Sequence, residues 1–106
     1  MLDSRSQMWE HPDVTLLGEV LVADFAKKHE RSLKPLTRFL GIVLAPIWKH
    51  TPDVKATLPA TDFDSNAQTY IFDIGGNKYR LLAAIDFEEQ TFTIESVMTH
   101  EQYNRR

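Results

Sequence analysis

Residues 78 to 87 split into two interleaved sets. Tyr79, Leu81, Ala83, Ile85 and Phe87 form one, and Lys78, Arg80, Leu82, Ala84 and Asp86 the other. A period of two means an extended strand, and one bulkier, more apolar set means that one face is buried. Gly75-Gly76-Asn77 precedes this run and Glu88-Glu89-Gln90 follows it, each too short for anything but a hairpin. The flanking runs Thr69–Ile74 and Thr91–Met98 are equally rich in β-branched and aromatic residues. The second half of the chain is therefore expected to be an antiparallel meander. Its aromatic face meets helices, and Lys78 and Arg80 share the face that helices leave open.

The first half has the other period. Leu21, Val22 and Phe25 fall on one side of a helix that opens near Glu19 and closes on Lys27 and Lys28, where basic side chains suit the negative end of the dipole. Ser32 is placed as the N-cap of a second helix carrying Leu36, Phe39, Leu40 and Val43 on its apolar side, and Pro46 stops it. Thr51-Pro52 reads as cap and first position of a short third turn over 53–57, closed by Pro59. Val14 to Leu17 is a short strand-like run ending at Gly18. The expected fold is α+β: a small twisted antiparallel sheet, made of a three-strand meander plus a short N-terminal strand, with two or three helices packed on one face. Residues 1–12 read as a polar leader without periodicity, whose order is open at this level, and 13–106 as a single domain.

Composition narrows the function. The 106 residues contain no Cys, which removes disulfide and thiolate chemistry, and the four His show no metal-motif spacing, so no metal or cofactor is expected. No apolar run nears the roughly 18 residues of a membrane span; the longest candidate, Phe39 to Trp48, is short and contains Pro46. The N-terminus lacks a signal-peptide core, so the expected address is cytoplasmic. The net charge of −3 argues against indiscriminate nucleic-acid binding. The charge is nevertheless uneven. Seven basic residues face four acidic ones from Glu19 to Lys55, and eight acidic residues face four basic ones from Asp62 onward. A basic face toward RNA and a salt-bridged surface fit this asymmetry equally well.

The stretch from Tyr70 to Leu82, Y-I-F-D-I-G-G-N-K-Y-R-L-L, resembles the hairpin signature of the HigB-type toxins, a branch of the RelE/ParE superfamily. Thr99 to Asn104, T-H-E-Q-Y-N, is similar to that family's C-terminal block. Asp24-Phe25-Ala26-Lys27-Lys28-His29, Trp48-Lys49 and Asp53 to Pro59 follow its looser helical pattern in order. The resemblance spans about Leu16 to Tyr103. It implies a RelE-like fold and a toxin that cleaves mRNA on the translating ribosome. Cleavage would be metal-free, by attack of the 2′-OH on the adjacent phosphate, leaving a 2′,3′-cyclic phosphate. The implied partners are the ribosome, mRNA and a cognate antitoxin, expected to be a helix-turn-helix protein of the HigA type.

Carried residue by residue, the resemblance makes Arg80 the clamp on the scissile phosphate, since a planar guanidinium matches two phosphoryl oxygens. The plainer reading is a strand Arg paired with Asp86 or Glu95. Lys78 would assist, or simply close the hairpin. His100 and Tyr103 would share proton transfer, imidazole being the side chain that titrates near neutrality; the plainer reading has them anchor the terminal turn. Asn77 reads as a turn residue. Lys27, Arg31, Lys34 and Arg38, with Lys49, Lys55, Arg105 and Arg106, are candidate RNA contacts or a solvated face. Trp48 and Phe39 read as core. Asp73 and Glu101 depart from the family pattern, which usually has Asn and Ala there. Both add negative charge and favour an alternative: a non-catalytic toxin homologue that binds an antitoxin. A third reading, a ParE-like inhibitor of a protein target, is less consistent with K-Y-R and T-H-x-x-Y.

Overall fold

The computed structural model describes residues 14–105. The polar leader and Arg106 lie outside the described residues. In chain order the elements are β1 (Thr15–Leu17), α1 (Glu19–Lys28), a 3-10 turn (Glu30–Ser32), α2 (Leu33–Leu44), α3 (Thr51–Thr57), β2 (Asp62–Asp64), β3 (Thr69–Ile74), β4 (Tyr79–Asp86), β5 (Thr91–Thr99) and α4 (His100–Asn104). The five strands form one sheet in the order β1-β5-β4-β3-β2.

The meander stands where the alternation puts it. Tyr70 pairs with Ala83 and Phe72 with Leu81, and Leu81 in turn faces Val97. Gly75, Gly76 and Asn77 turn the first hairpin with φ of 66°, 66° and 76°, a left-handed run open to Gly and tolerated by Asn. Phe72, Leu81, Ala83, Phe92 and Ile94 are buried against Val22, Phe25, Leu36, Phe39, Val43, Trp48 and Val54 in one core. Trp48 and Phe39 are thus core residues, and the Trp48 indole donates to Thr57 Oγ1 at 3.1 Å.

Four details differ from the sequence reading. The sheet is mixed, because β1 runs parallel to β5, with Leu16 opposite Phe92. A fifth strand, β2, pairs with β3 through Asp-Phe-Asp, a run too short and too acidic to read as a strand. Ser32 does not cap α2. The 3-10 turn feeds straight into the helix, so Ser32 is already in helical conformation and its hydroxyl donates back to the His29 carbonyl at 2.6 Å. Thr51 is the first residue of α3 rather than its cap; its hydroxyl meets the Tyr70 hydroxyl, and Asp53 Oδ2 accepts the Lys49 N–H instead.

Lys78 lies in the turn, one residue before β4 begins. Between Leu82 and Ala83 the register on β5 slips by one, so that Glu95 has no partner across the ladder. Such a bulge bends the strand locally. Gly18, at φ 83°, turns the chain from β1 into α1 hard against β5: a Cβ there would stand 2.4 Å from the Ile94 carbonyl oxygen.

Candidate active site

The site forms where the first hairpin meets the last helix. Thr99 ends β5 directly opposite Tyr79, so the chain enters α4 beside the hairpin turn. A capping box starts that helix. The Thr99 hydroxyl accepts the Gln102 N–H at 3.1 Å, and the Gln102 side chain accepts the Thr99 N–H at 2.9 Å. The His100 N–H donates to the Lys78 carbonyl at 2.8 Å, tying the helix start to the turn. These backbone links bring residues 20 positions apart into contact.

Arg80 is at the centre. It sits on the sheet face opposite the α1–α3 layer, yet it is only 8% exposed. Its Nε lies 3.1 Å from Asp73 Oδ1, directly across the ladder. Nη1 donates to the carbonyls of Tyr79 at 3.1 Å and Asn77 at 3.4 Å. Nη2 donates to Asn77 Oδ1 at 2.7 Å and lies 2.8 Å from His100 Nδ1. The Tyr103 ring stands 5.4 Å from the guanidinium carbon, within cation–π range. Asn104 Nδ2 stands 2.9 Å from the other ring nitrogen, Nε2.

The structure therefore gathers Arg80, His100 and Tyr103, and sets Lys78 one turn residue away with an exposed side chain. The partner of Arg80 is Asp73, neither Asp86 nor Glu95. The unusual acid in the hairpin faces Arg80 directly. Three contributors are not legible as site residues in the sequence: Asp73 reads only as extra charge, Asn77 as a turn residue, and Asn104 only as the end of the terminal block. The T-x-x-Q pattern from Thr99 to Gln102 is the local signal that marks α4.

The basic residues do not form one stripe. The 3-10 turn separates Lys27 on α1 from Lys34 and Arg38 on α2, leaving Arg31 between them. Lys27 and Arg31 border a shallow hollow with Lys28, His29 and Tyr79. Arg38 borders another with Pro35, Asp73 and Gly75. Both hollows flank the hairpin. Lys49 and Lys55 are exposed on the α3 side, and Arg105 lies 3.6 Å from Glu101 in an exposed pair. Among the described residues no three His, Asp or Glu side chains gather as a metal-holding group, and no helix is long and apolar enough to cross a membrane.

A small sheet with three helices on one face, and a polar cluster under a short C-terminal helix on the other, defines the RelE-like class of toxin folds. The family model described as the RelE-like toxic component of a toxin-antitoxin system, HigB toxin, matches residues 32–106. The mRNA interferase toxin HigB of Escherichia coli K12 is 30% identical over 90 residues, covering 84% of this chain and 86% of the relative. The mRNA interferase HigB of Shigella flexneri aligns to the same extent, and that of Escherichia coli O6:H1 is 20% identical over 91 residues, 85% of this chain and 88% of its own. The chain belongs to the HigB toxin family.

Proposed function

We propose that this chain is an mRNA interferase: an endoribonuclease that cuts mRNA on the translating ribosome and is held inactive by its antitoxin. The observation that carries the reading is convergence. The K-Y-R and T-H-x-x-Y blocks meet in space, with Arg80 Nη2 2.8 Å from His100 Nδ1 and the Tyr103 ring 5.4 Å from the same guanidinium. Relatives that align over most of this chain carry the name mRNA interferase.

The reaction needs three things of the protein. The 2′-oxygen bonds to phosphorus as the P–O5′ bond breaks, so the 2′-hydroxyl must be deprotonated and the departing 5′-oxygen protonated. The five-coordinate phosphorus between them carries extra negative charge and needs donors around it. His100 and Tyr103 contact the buried Arg80, and Lys78 presents an exposed side chain from the adjoining turn. Orientation of attacking and leaving groups is worth many kcal/mol. A chain this small and acidic obtains that orientation from the ribosome, with Lys27, Arg31, Lys34, Arg38, Lys49, Lys55 and the terminal Arg105 and Arg106 as its contacts to ribosomal RNA or mRNA. The place of action is the cytoplasm. The antitoxin is a helix-turn-helix protein of the HigA type.

A second reading, a non-catalytic toxin homologue that only binds an antitoxin, draws support from the open sheet face. By alternation and register it carries Asp62, Asp64, Asp73 and Asp86, and Glu95 accepts from the Thr69 hydroxyl on it at 3.2 Å, a poor surface for RNA. Purified chain added to translating ribosomes separates the two. New 5′-hydroxyl ends mapped within the mRNA are the expected result. Intact mRNA, with the chain still folded and still bound by its antitoxin, would leave the second reading standing.

A further inference from the structure

The guanidinium of Arg80 has five N–H groups, and five protein acceptors surround them: Asp73 Oδ1, the carbonyls of Tyr79 and Asn77, Asn77 Oδ1 and His100 Nδ1. With 8% of the residue exposed, the guanidinium is turned toward protein acceptors rather than solvent. The same contacts decide the state of its neighbour. Arginine only donates, so at 2.8 Å His100 Nδ1 must be an acceptor. A neutral imidazole with a lone pair on Nδ1 carries its proton on Nε2. Asn104 Nδ2 stands 2.9 Å from Nε2; two N–H donors cannot face each other, so the Nε2–H form pairs with the amide flipped end for end, its Oδ1 accepting. Asn104 is exposed and His100 half-buried, so the Nε2 edge of the ring faces an exposed residue and the Nδ1 edge a buried one.

We infer that Asp73 and Asn77 hold Arg80 as a positioning residue, and that Arg80 in turn fixes His100 in its Nε2–H form. His100 is then a hydrogen-bond donor to a phosphate oxygen, not the acceptor of the 2′-hydroxyl proton. Its only lone pair is already taken by the guanidinium. The substrate oxygen replaces the Asn104 amide at Nε2, and no proton changes owner at His100. This rests on the endoribonuclease reading for its substrate. The tautomer itself stands on the geometry alone.

The groups around the ring make the arrangement specific. Arg80 from β4 faces Nδ1, and Asn104 from α4 faces Nε2. Asp73 from β3 balances the buried cation from the far side, at Nε. Asn77 adopts φ 76° to bring both its carbonyl and its side-chain oxygen to the guanidinium. The acid that departs from the family pattern is the counter-ion of the positioning residue.

Two measurements on the full-length chain test the inference. The first is the tautomer, read from long-range proton–nitrogen NMR spectra of the 15N-labelled protein near neutral pH. His100 is expected as a single Nε2–H form in the wild type, and as a mixture of both forms in Arg80→Ala. A wild-type ring protonated on Nδ1 would overturn the inference. So would a tautomer unchanged in a folded Arg80→Ala chain. The second is cleavage of ribosome-bound mRNA by His100→Gln, whose amide N–H stands where Nε2–H stood. As a donor, Gln is expected to keep activity within about tenfold of wild type, whereas losing a proton acceptor would cost roughly 10²–10⁴-fold. A loss of that size in a folded His100→Gln chain would also overturn the inference, and this variant serves if Arg80→Ala does not fold. Failure of the wild type to cut mRNA at all would sink the endoribonuclease reading and leave the tautomer result intact.

Discussion

Asn77 shows how one residue serves backbone and site together. Its φ of 76° is a conformation that costs an ordinary L-residue roughly 1 kcal/mol and costs Gly nothing. Its side-chain oxygen also accepts from Arg80 Nη2 at 2.7 Å. The two roles separate by substitution. Asn77→Gly keeps the turn and loses the acceptor, and Asn77→Ala loses both. In urea titrations Asn77→Ala is expected to fall below Asn77→Gly by about 1 kcal/mol. In growth assays after induction the two should be impaired alike, because the Arg80 contact is missing from both. Equal stability would mean that the turn is not strained by a Cβ. A fully toxic Asn77→Gly would mean that the side-chain oxygen is dispensable. Sequence alone indicated the turn role, since Gly-Gly-Asn between two strands has few other uses. The acceptor role was hidden because it depends on where the Arg80 side chain turns after the strand has paired.

Helix α4 has five residues, too few to hold itself in water. What holds it is the capping box between Thr99 and Gln102 and the bond from the His100 N–H to the Lys78 carbonyl. Removing a capping side chain typically costs about 1 kcal/mol. Thr99→Ala is therefore expected to lower the urea midpoint only slightly, since the core does not depend on α4. Amide hydrogen exchange at Gln102 should accelerate well beyond that at Leu81 in the central strand. Uniform acceleration across the sheet would show α4 to be part of the cooperative core instead. The cap could be read locally, from Thr and Gln three apart at the end of a strand. The bond to Lys78 could not, because it joins a helix start to a turn more than twenty residues earlier. The same holds for β2. Asp-Phe-Asp has no strand pattern of its own and is extended because β3 offers Thr69 to Ile71 as a partner edge.

Across the whole molecule the exposed charge is uneven. Lys27, Lys28 and Arg31 border a hollow with Tyr79, and Arg38 one with Gly75 and Gly76, beside the hairpin, while Asp62 and Asp64 sit on the far edge strand of the open face. Carboxylates there oppose approach of a phosphate backbone, and salt screens exposed charges of this kind within about 8 Å at physiological ionic strength. Asp62→Asn with Asp64→Asn is expected to tighten binding to ribosomes severalfold at low salt and to change little at high salt, as sedimentation across a salt series would show. A gain that persists at high salt would point to a change in shape rather than charge. The residue sequence by itself determined the meander, the inward face of its middle strand, the helical first half and the turns between them. Those features rest on alternation, apolar spacing and the φ preferences of Gly and Asn, all of which act within a few residues. The family blocks were legible for the same reason, as short local strings. Tertiary structure alone decided the parallel seat of β1, the bulge at Glu95, and the partner of Arg80. A guanidinium takes whichever acceptors the fold delivers to it. Asp73, Asn77 and His100 reach it only after β3, β4 and β5 have settled their register and α4 has folded back across the hairpin.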